Sequence, residues 1–292
     1  MNSNTETAEK VNTHYRDSLL SIKNLPSVPL IMMEVTKMLS SYKTSANELG
    51  RVISRDQALV AKILSVANSP LYGLPRRVST IEFAIVILGF DHIKNIVIAL
   101  SMIEAFKNKD DKNWSRKKYW QHSVLTAVAA KRIADDLGII KSGEAFTAGL
   151  LHDLGISVIQ RYFNPEFARI SKMVREGQMS YLQAEEKVLG ITHAEVGKYL
   201  LERWNLPQSL GDAVFFHHKP SAATDNNIIA AIVHLADFMT QRYHDSNLLW
   251  DLNYELDPGV IQILNLGDED YLQKYMETYQ QLFKNQIDTF FI

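Results

Sequence analysis

Apolar residues recur at intervals of three and four along almost the whole chain, with no sustained two-residue alternation, and this pattern predicts an all-α protein. The stripe Leu59, Val60, Ile63, Leu64 and Ala67 predicts a helix. Asp56 can open it by accepting an orphan backbone N–H, and Asn68-Ser69-Pro70 closes it because proline supplies no N–H. A loop through Tyr72, Gly73 and Pro75 follows. Ser45-Ala46-Asn47-Glu48 and Ser79-Thr80-Ile81-Glu82 have capping-box spacing, so each predicts a helix start. The prolines of Leu25-Pro26-Ser27-Val28-Pro29 impose an extended entry, after which a first helix is expected from Leu30 to Ser41. Gly89 separates two strongly apolar stretches, Ile81 to Leu88 and Ile93 to Phe106. They read as a buried helical hairpin whose second arm Asp91 can cap.

Residues 107–118 are mostly charged and lack periodicity, so no core face is expected there and the chain divides at this point. Beyond it the pattern predicts helices near 119–137, 144–160, 165–177, 180–188, 193–204, 207–218 and 227–243, then a terminal helix near 268–288. The expected organisation is a polar tail over 1–18, a helical subdomain over 19–106, the charged linker, a second helical subdomain over 119–244, and a loop and helix over 245–292. Whether the 245–267 loop, with Pro258 and Gly259, covers a site is open at this point.

With 292 residues, 46% of them hydrophobic, the chain can bury one large core or two modest ones. Its formal charge of −2, with both signs interspersed, gives no basic field for a phosphate backbone, so nucleic acid is not an expected partner. The absence of cysteine excludes thiolate ligands and nucleophiles and fits a reducing compartment. No apolar run reaches a membrane span, and Met1 to Lys10 is polar; a soluble cytoplasmic protein without a membrane partner is expected.

Any metal must therefore use histidine and carboxylate. Six of the nine histidines, with two aspartates, form an ordered series: His122, His152-Asp153, His193, His217-His218, His234 and Asp237. His122 shares a stripe with Leu125, Ala129 and Ile133, which turns its ring inward. His152-Asp153 sits in an apolar helix between Gly149 and Gly155, which would admit a close neighbour. Burying that pair without partners costs several kcal/mol, so a metal or hydrogen-bond donors must compensate it. Thr192-His193-Ala194-Glu195 is a capping box that puts His193 in a first helical turn. His217-His218 end an apolar helix, where imidazolium would also suit the helix terminus. His234 and Asp237 share one side of a helix, and Asp237 is the better ligand candidate.

The series His122, His152-Asp153, Asp237 resembles the HD superfamily, and His193 with His217-His218 follow the order of its HD-GYP branch, whose members hydrolyse cyclic dinucleotides with bound metals. Two departures stand out: Ile156 occupies the place of that branch's lysine, and no Gly-Tyr-Pro follows His217-His218. The first half resembles the HDOD family instead. The carriers are Leu25-Pro26 with Pro29, Val52-Ile53-Ser54-Arg55-Asp56, Ala67-Asn68-Ser69-Pro70-Leu71-Tyr72-Gly73, and Val78-Ser79-Thr80-Ile81 with Ala84 and Leu88-Gly89. In the second half Leu151-His152-Asp153-Leu154-Gly155, His193-Ala194-Glu195-Val196-Gly197, Arg203-Trp204 with Leu206-Pro207, and His217-His218 also match. Arg55-Asp56 and Asn68-Ser69 could bind a ligand, but capping and helix-ending roles account for them better.

The resemblance implies a bacterial signal-transduction protein that binds a signalling protein or a small nucleotide-like ligand; the partner, its pathway and the oligomeric state are not legible. It also implies a metal set of His122, His152, Asp153, His193, His217, His218 and Asp237, holding one or two divalent ions such as iron, manganese, zinc, cobalt or nickel. Three readings remain at this stage. A regulatory module keeps the HD remnant as scaffold; a metal-dependent phosphohydrolase would have Asp153 bridge two ions as its catalytic residue; or the histidines are packed core groups that bind no metal.

Overall fold

The computed structural model describes residues 26–284 apart from 40, 42, 70–73, 225, 226, 245–247 and 253; the expected tail over 1–18, Leu25 and the loop through Tyr72 and Gly73 lie outside the described residues. The fold is all-α, with no strand among the described residues. The first half contains α1 (Leu30–Leu39), α2 (Ala46–Ile53), α3 (Gln57–Ala67), α4 (Ile81–Leu88) and α5 (Phe90–Ala105). Ser45 and Glu48 cap α2 reciprocally, and Asp56 accepts the Leu59 N–H at 3.0 Å to open α3, as the spacing predicts. The Asn68 side chain donates to the Leu64 and Val78 carbonyls and accepts the Val78 N–H, each at 2.7 Å. It thereby ties the end of α3 to the incoming strand of loop.

Two local expectations shift. Thr80, not Ser79, caps α4, accepting the Phe83 N–H at 3.2 Å. The helix after Gly89 starts at Phe90, so Asp91 lies in its first turn rather than at its cap. Gly89 itself adopts φ 84° and ψ 159°, a region essentially restricted to glycine, and α4 and α5 diverge there by 119°. They are not a buried hairpin: α5 is buried, while Phe83, Val86 and Ile87 of α4 remain exposed.

The second half holds α6 (Arg116–Asp136), α7 (Ser142–Leu151), α8 (Leu154–Tyr162), α9 (Asn164–Arg175), α10 (Tyr181–Leu189), α11 (His193–Arg203), α12 (Gln208–Phe216) and α13 (Asn227–Tyr243). The short α14 (Gly259–Ile263), which the pattern does not reveal, and α15 (Glu269–Lys284) follow. α6 packs on α7 and α13, α7 also packs on α5, and α8 packs on α11. Apolar side chains from both halves join one buried cluster.

The charged stretch before α6 does contribute to that core. Trp114 is buried against Tyr119 and Phe167, which corrects the expectation that residues 107–118 supply no core face. A single tryptophan leaves no periodicity to detect. The single helix expected over 144–160 is two helices. His152 is still helical (φ −54°, ψ −38°), and the chain turns out of the helix at Asp153 (φ −98°, ψ 11°) before α8. The glycines on either side permit close approach as expected. A Cβ on Gly149 would lie 2.9 Å from Ala127 Cα of α6, and one on Gly155 would overlap the His193 carbonyl of α11. The His152-Asp153 corner is thus pressed between the helices that carry His122 and His193.

Candidate metal centre

Five separate segments deliver side chains to that corner. His122 comes from α6, His152 and Asp153 from the break between α7 and α8, His193 from the first turn of α11, His217 and His218 from the end of α12, and Asp237 from α13. All but His218, which is partly exposed, are buried. The donor atoms of His122, His152 and Asp153 lie within 4.8 Å of one another, as do those of His193, His217 and His218, and those of His152, His217 and Asp237.

The two oxygens of Asp153 face different neighbours. Oδ2 lies 3.2 Å from His152 Nε2 and 3.5 Å from His122 Nε2, with Asp237 Oδ1 3.1 Å from His122 Nε2 on the same side. Oδ1 lies 3.5 Å from His193 Nε2 and 3.9 Å from His217 Nε2, and His218 Nε2 is 2.8 Å from His193 Nε2. The centre therefore consists of two donor groups that share one carboxylate.

Ring orientation follows from the far nitrogens. His152 Nδ1–H donates to the Gly149 carbonyl at 2.7 Å, and His217 Nδ1–H donates to the Val214 carbonyl at 2.6 Å. His193 Nδ1–H donates to Glu185 at 2.8 Å. A carbonyl accepts only from a protonated nitrogen, so the inward Nε2 of the neutral ring carries a lone pair, which is the tautomer a metal requires. His217 Nε2 and Asp237 Oδ2 have no hydrogen-bond partner although both are buried. Leaving them so costs roughly 1–3 kcal/mol each, and a cation between the donor groups would relieve it. The residues present fit a divalent metal.

The electrostatics agree. Burial raises the Asp153 and Asp237 carboxyls, but the facing histidines outweigh it and both are lowered below the ordinary range, Asp153 strongly. Burial depresses His152, yet Asp153 and Asp237 overcome it and push the ring up to about 9. Burial and neighbouring imidazoles take His217 down to about 3 and His218 well below its usual value. Without metal, a proton on His152 offsets part of the charge of the two carboxylates; metal would take over that role. Neutral His217 and His218 also dispose of the helix-terminal imidazolium reading, because a neutral ring offers the negative end of α12 no charge.

His234 is buried but stands apart. Its Nδ1–H donates to the His217 carbonyl at 2.7 Å, and its Nε2 accepts the Asp257 N–H at 2.8 Å. Both nitrogens are committed, so it fixes the backbone that carries His217-His218 instead of joining the donors.

Over residues 25–220 the sequence matches the HDOD domain. The chain belongs to the HDOD family. Similar solved structures include an HDOD domain protein of unknown function from Geobacter sulfurreducens, 27% identical, TM-score 0.75, covering 97% of this chain and 99% of that one. A protein of Shewanella amazonensis named as a candidate phosphohydrolase shares the fold, at 22% identity and TM-score 0.71, over 94% of this chain and 97% of that one. An uncharacterized protein of Treponema pallidum is 23% identical over 267 residues, 90% of this chain and 50% of that protein, so the chain spans about half the length of that relative.

Three residues of this HDOD chain escape a reading of the sequence alone. Glu185 is fully buried on α10 and grips both the backbone N–H and Nδ1 of His193, at 3.0 and 2.8 Å. Its position four residues after Tyr181 and three before Val188, on an inward stripe, was the available signal. Trp250 donates its indole N–H to Asp153 Oδ2 at 2.9 Å. Tyr254 donates to the His217 carbonyl at 3.1 Å and packs on His218 at 5.2 Å between ring centroids. The described part of the 245–267 segment thus covers the centre, and no local pattern marks either ring for that role. Ile156, at the place of the HD-GYP lysine, is buried apolar core.

Proposed function

We propose that this HDOD protein is a regulatory module of bacterial signal transduction, in which His122, His152, Asp153, His193, His217, His218 and Asp237 hold one or two divalent ions as the structural centre of the second half. Iron, manganese, zinc, cobalt and nickel all suit such nitrogen and carboxylate donors. The observation that carries the regulatory reading is the cover: Trp250 occupies an oxygen of Asp153, and the indole is itself buried and stacked on Trp114 with centroids 5.5 Å apart. A substrate phosphate would have to displace that layer. Ile156, apolar and buried, offers a phosphate no cation at the position of the HD-GYP lysine. The protein acts in this reading through its helical surfaces and small-ligand sites, and the centre fixes their shape.

A metal-dependent phosphohydrolase is the second reading, favoured by the position of Asp153 between two donor groups. Metal bound there would supply an activated water and a clamp for a phosphoryl oxygen. In that case Asp153 holds the two donor groups together, while the Trp250 indole and the Tyr254 ring exclude bulk water. Hydrolysis assays on metal-loaded protein, with nucleotides and cyclic dinucleotides, separate the readings. The regulatory module shows no turnover, and neither does Trp250→Ala, which opens the cover. Turnover by the native chain, or its appearance in Trp250→Ala, would overturn the first reading in favour of the second.

A further inference from the structure

A second chemically loaded region lies where the two halves meet. It is a cavity of about 1550 Å3, and none of the seven donors lines it. Its rim comes from α3, residues 74–79 and the end of α5, and its floor includes Trp114, Tyr119 and Ser157 of the second half. Six cationic side chains line it, Lys62, Arg76, Arg77, Lys107, Arg116 and Lys117, against the two carboxylates of Glu104 and Asp110. Both acids are engaged. Glu104 pairs with Lys62 and, at 2.6 Å, with Lys107, while Asp110 accepts the Arg116 backbone N–H at 2.6 Å. The guanidinium groups of Arg76, Arg77 and Arg116 enter no ion pair among the described residues. In a chain of net charge −2 this gathering of cations is a local exception, and their mutual repulsion falls when a multivalent anion sits among them.

The rim is built rather than incidental. The Asn68 clamp on Val78, three hydrogen bonds of 2.7 Å counting its bond to Leu64, anchors the segment that carries Arg76 and Arg77. Three buried polar atoms of lining residues have no hydrogen-bond partner, Trp114 Nε1–H, Asn108 Oδ1 and the Tyr119 hydroxyl. The Asn108 amide is oriented, because its Nδ2 donates to the Ser157 carbonyl at 2.7 Å, so its oxygen is left facing away from that bond. An unmet N–H, an unmet amide oxygen and an unmet hydroxyl beside aromatic faces are what the edge of a heterocyclic base would satisfy. Trp120 supplies a further face, with Lys62 Nζ 5.2 Å from its ring centroid.

The geometry points to this cavity as a binding site for a nucleoside polyphosphate, its phosphates on Arg76, Arg77 and Arg116 and its base at Trp114 and Asn108. This gives the small-ligand arm of the proposed function a chemical class, and it rests on that reading only for its purpose, since the site needs no metal. Trp114 also stacks on Trp250, which holds Asp153, so a ligand on Trp114 lies one ring away from the cover of the histidine centre.

Isothermal titration of the full chain with ATP, pyrophosphate and adenosine, each with and without EDTA, tests the assignment. ATP is expected to bind at least about tenfold tighter than either fragment, equally with and without chelator. The doubly substituted Arg76→Ser, Arg77→Ser protein should lose about tenfold or more in ATP affinity with an unchanged thermal midpoint, since both side chains are exposed and desolvated charge contacts carry most of such affinity. Absence of ATP binding, equal affinity in the double variant, or pyrophosphate binding as tightly as ATP would overturn it. So would loss of ATP binding in EDTA, which would move the ligand to the histidine centre and leave the metal reading standing.

Discussion

At the histidine–aspartate centre both carboxylates are buried, and imidazole nitrogens answer them at distances from 3.1 to 3.9 Å. At the junction cavity the arginines are exposed and without counter-ions among the described residues. The first arrangement is costly to open, because breaking a buried set strands charges in low dielectric. The second costs little to vary, because water and salt screen exposed cations. A buried, self-oriented donor set suits a resident ion that stays with the fold, whereas screened cations round an open cavity suit a ligand that comes and goes. Trp114 and Trp250 join the two, one ring facing each region.

Four predictions can break or sharpen this contrast. The largest effect is expected from Asp153→Ala, which removes the carboxylate common to both donor groups; metal affinity should fall by more than about 100-fold, read by competition with a chromogenic chelator. Metal affinity unchanged in that variant would mean that the two groups do not share a ligand. Glu185→Gln keeps the shape but weakens the hold on His193, and a loss of about 10–100-fold in affinity is expected by the same titration, with little change in ATP binding.

The third effect concerns His92, a buried ring outside both regions, packed edge-on against Phe146 with centroids 4.9 Å apart. Burial lowers its folded pKa to about 3, below the unfolded value of 6.5, so the unfolded chain takes up a proton first. The contribution of the neutral His92 ring is nearly complete above pH 6.5 and declines as pH falls toward 3, by about 2 kcal/mol at pH 5. The loss in unfolding free energy between pH 8 and 5, from urea titrations, should be smaller in His92→Phe by about that amount; an equal loss in the variant would place the acid sensitivity wholly at other groups. The smallest effect is expected for Asn68→Ala, which gives up the clamp on Val78 at about 1–2 kcal/mol. ATP affinity should weaken with it while metal content stays constant, because the clamp belongs to the cavity rim alone.

How much of this was legible follows from the range of the forces involved. The caps at Ser45, Asp56 and Thr192 are set by residues three apart, so spacing alone reveals them. The donor residues were legible as an ordered series on inward helical faces, and the structure brings all seven together while sending His234 to the His217 backbone. The helix break at His152-Asp153 was not legible, since it depends on α6 and α11 pressing on Gly149 and Gly155 from distant parts of the chain. The cover was equally hidden: Trp250 and Asp153 are 97 residues apart, and nothing local to either specifies the contact. The choice of Thr80 over Ser79 as cap is a one-residue competition between two similar hydroxyls that the surrounding packing decides.

Metal analysis of protein purified without a polyhistidine tag tests the central claim most directly. The account predicts one to two equivalents of divalent metal per chain, and a thermal midpoint that falls when chelator removes it and recovers on adding the ion back. Protein that is free of metal as isolated, takes none up on titration with zinc, manganese, iron, cobalt or nickel, and melts at the same temperature throughout would contradict it, and would leave the seven side chains as a hydrogen-bonded core.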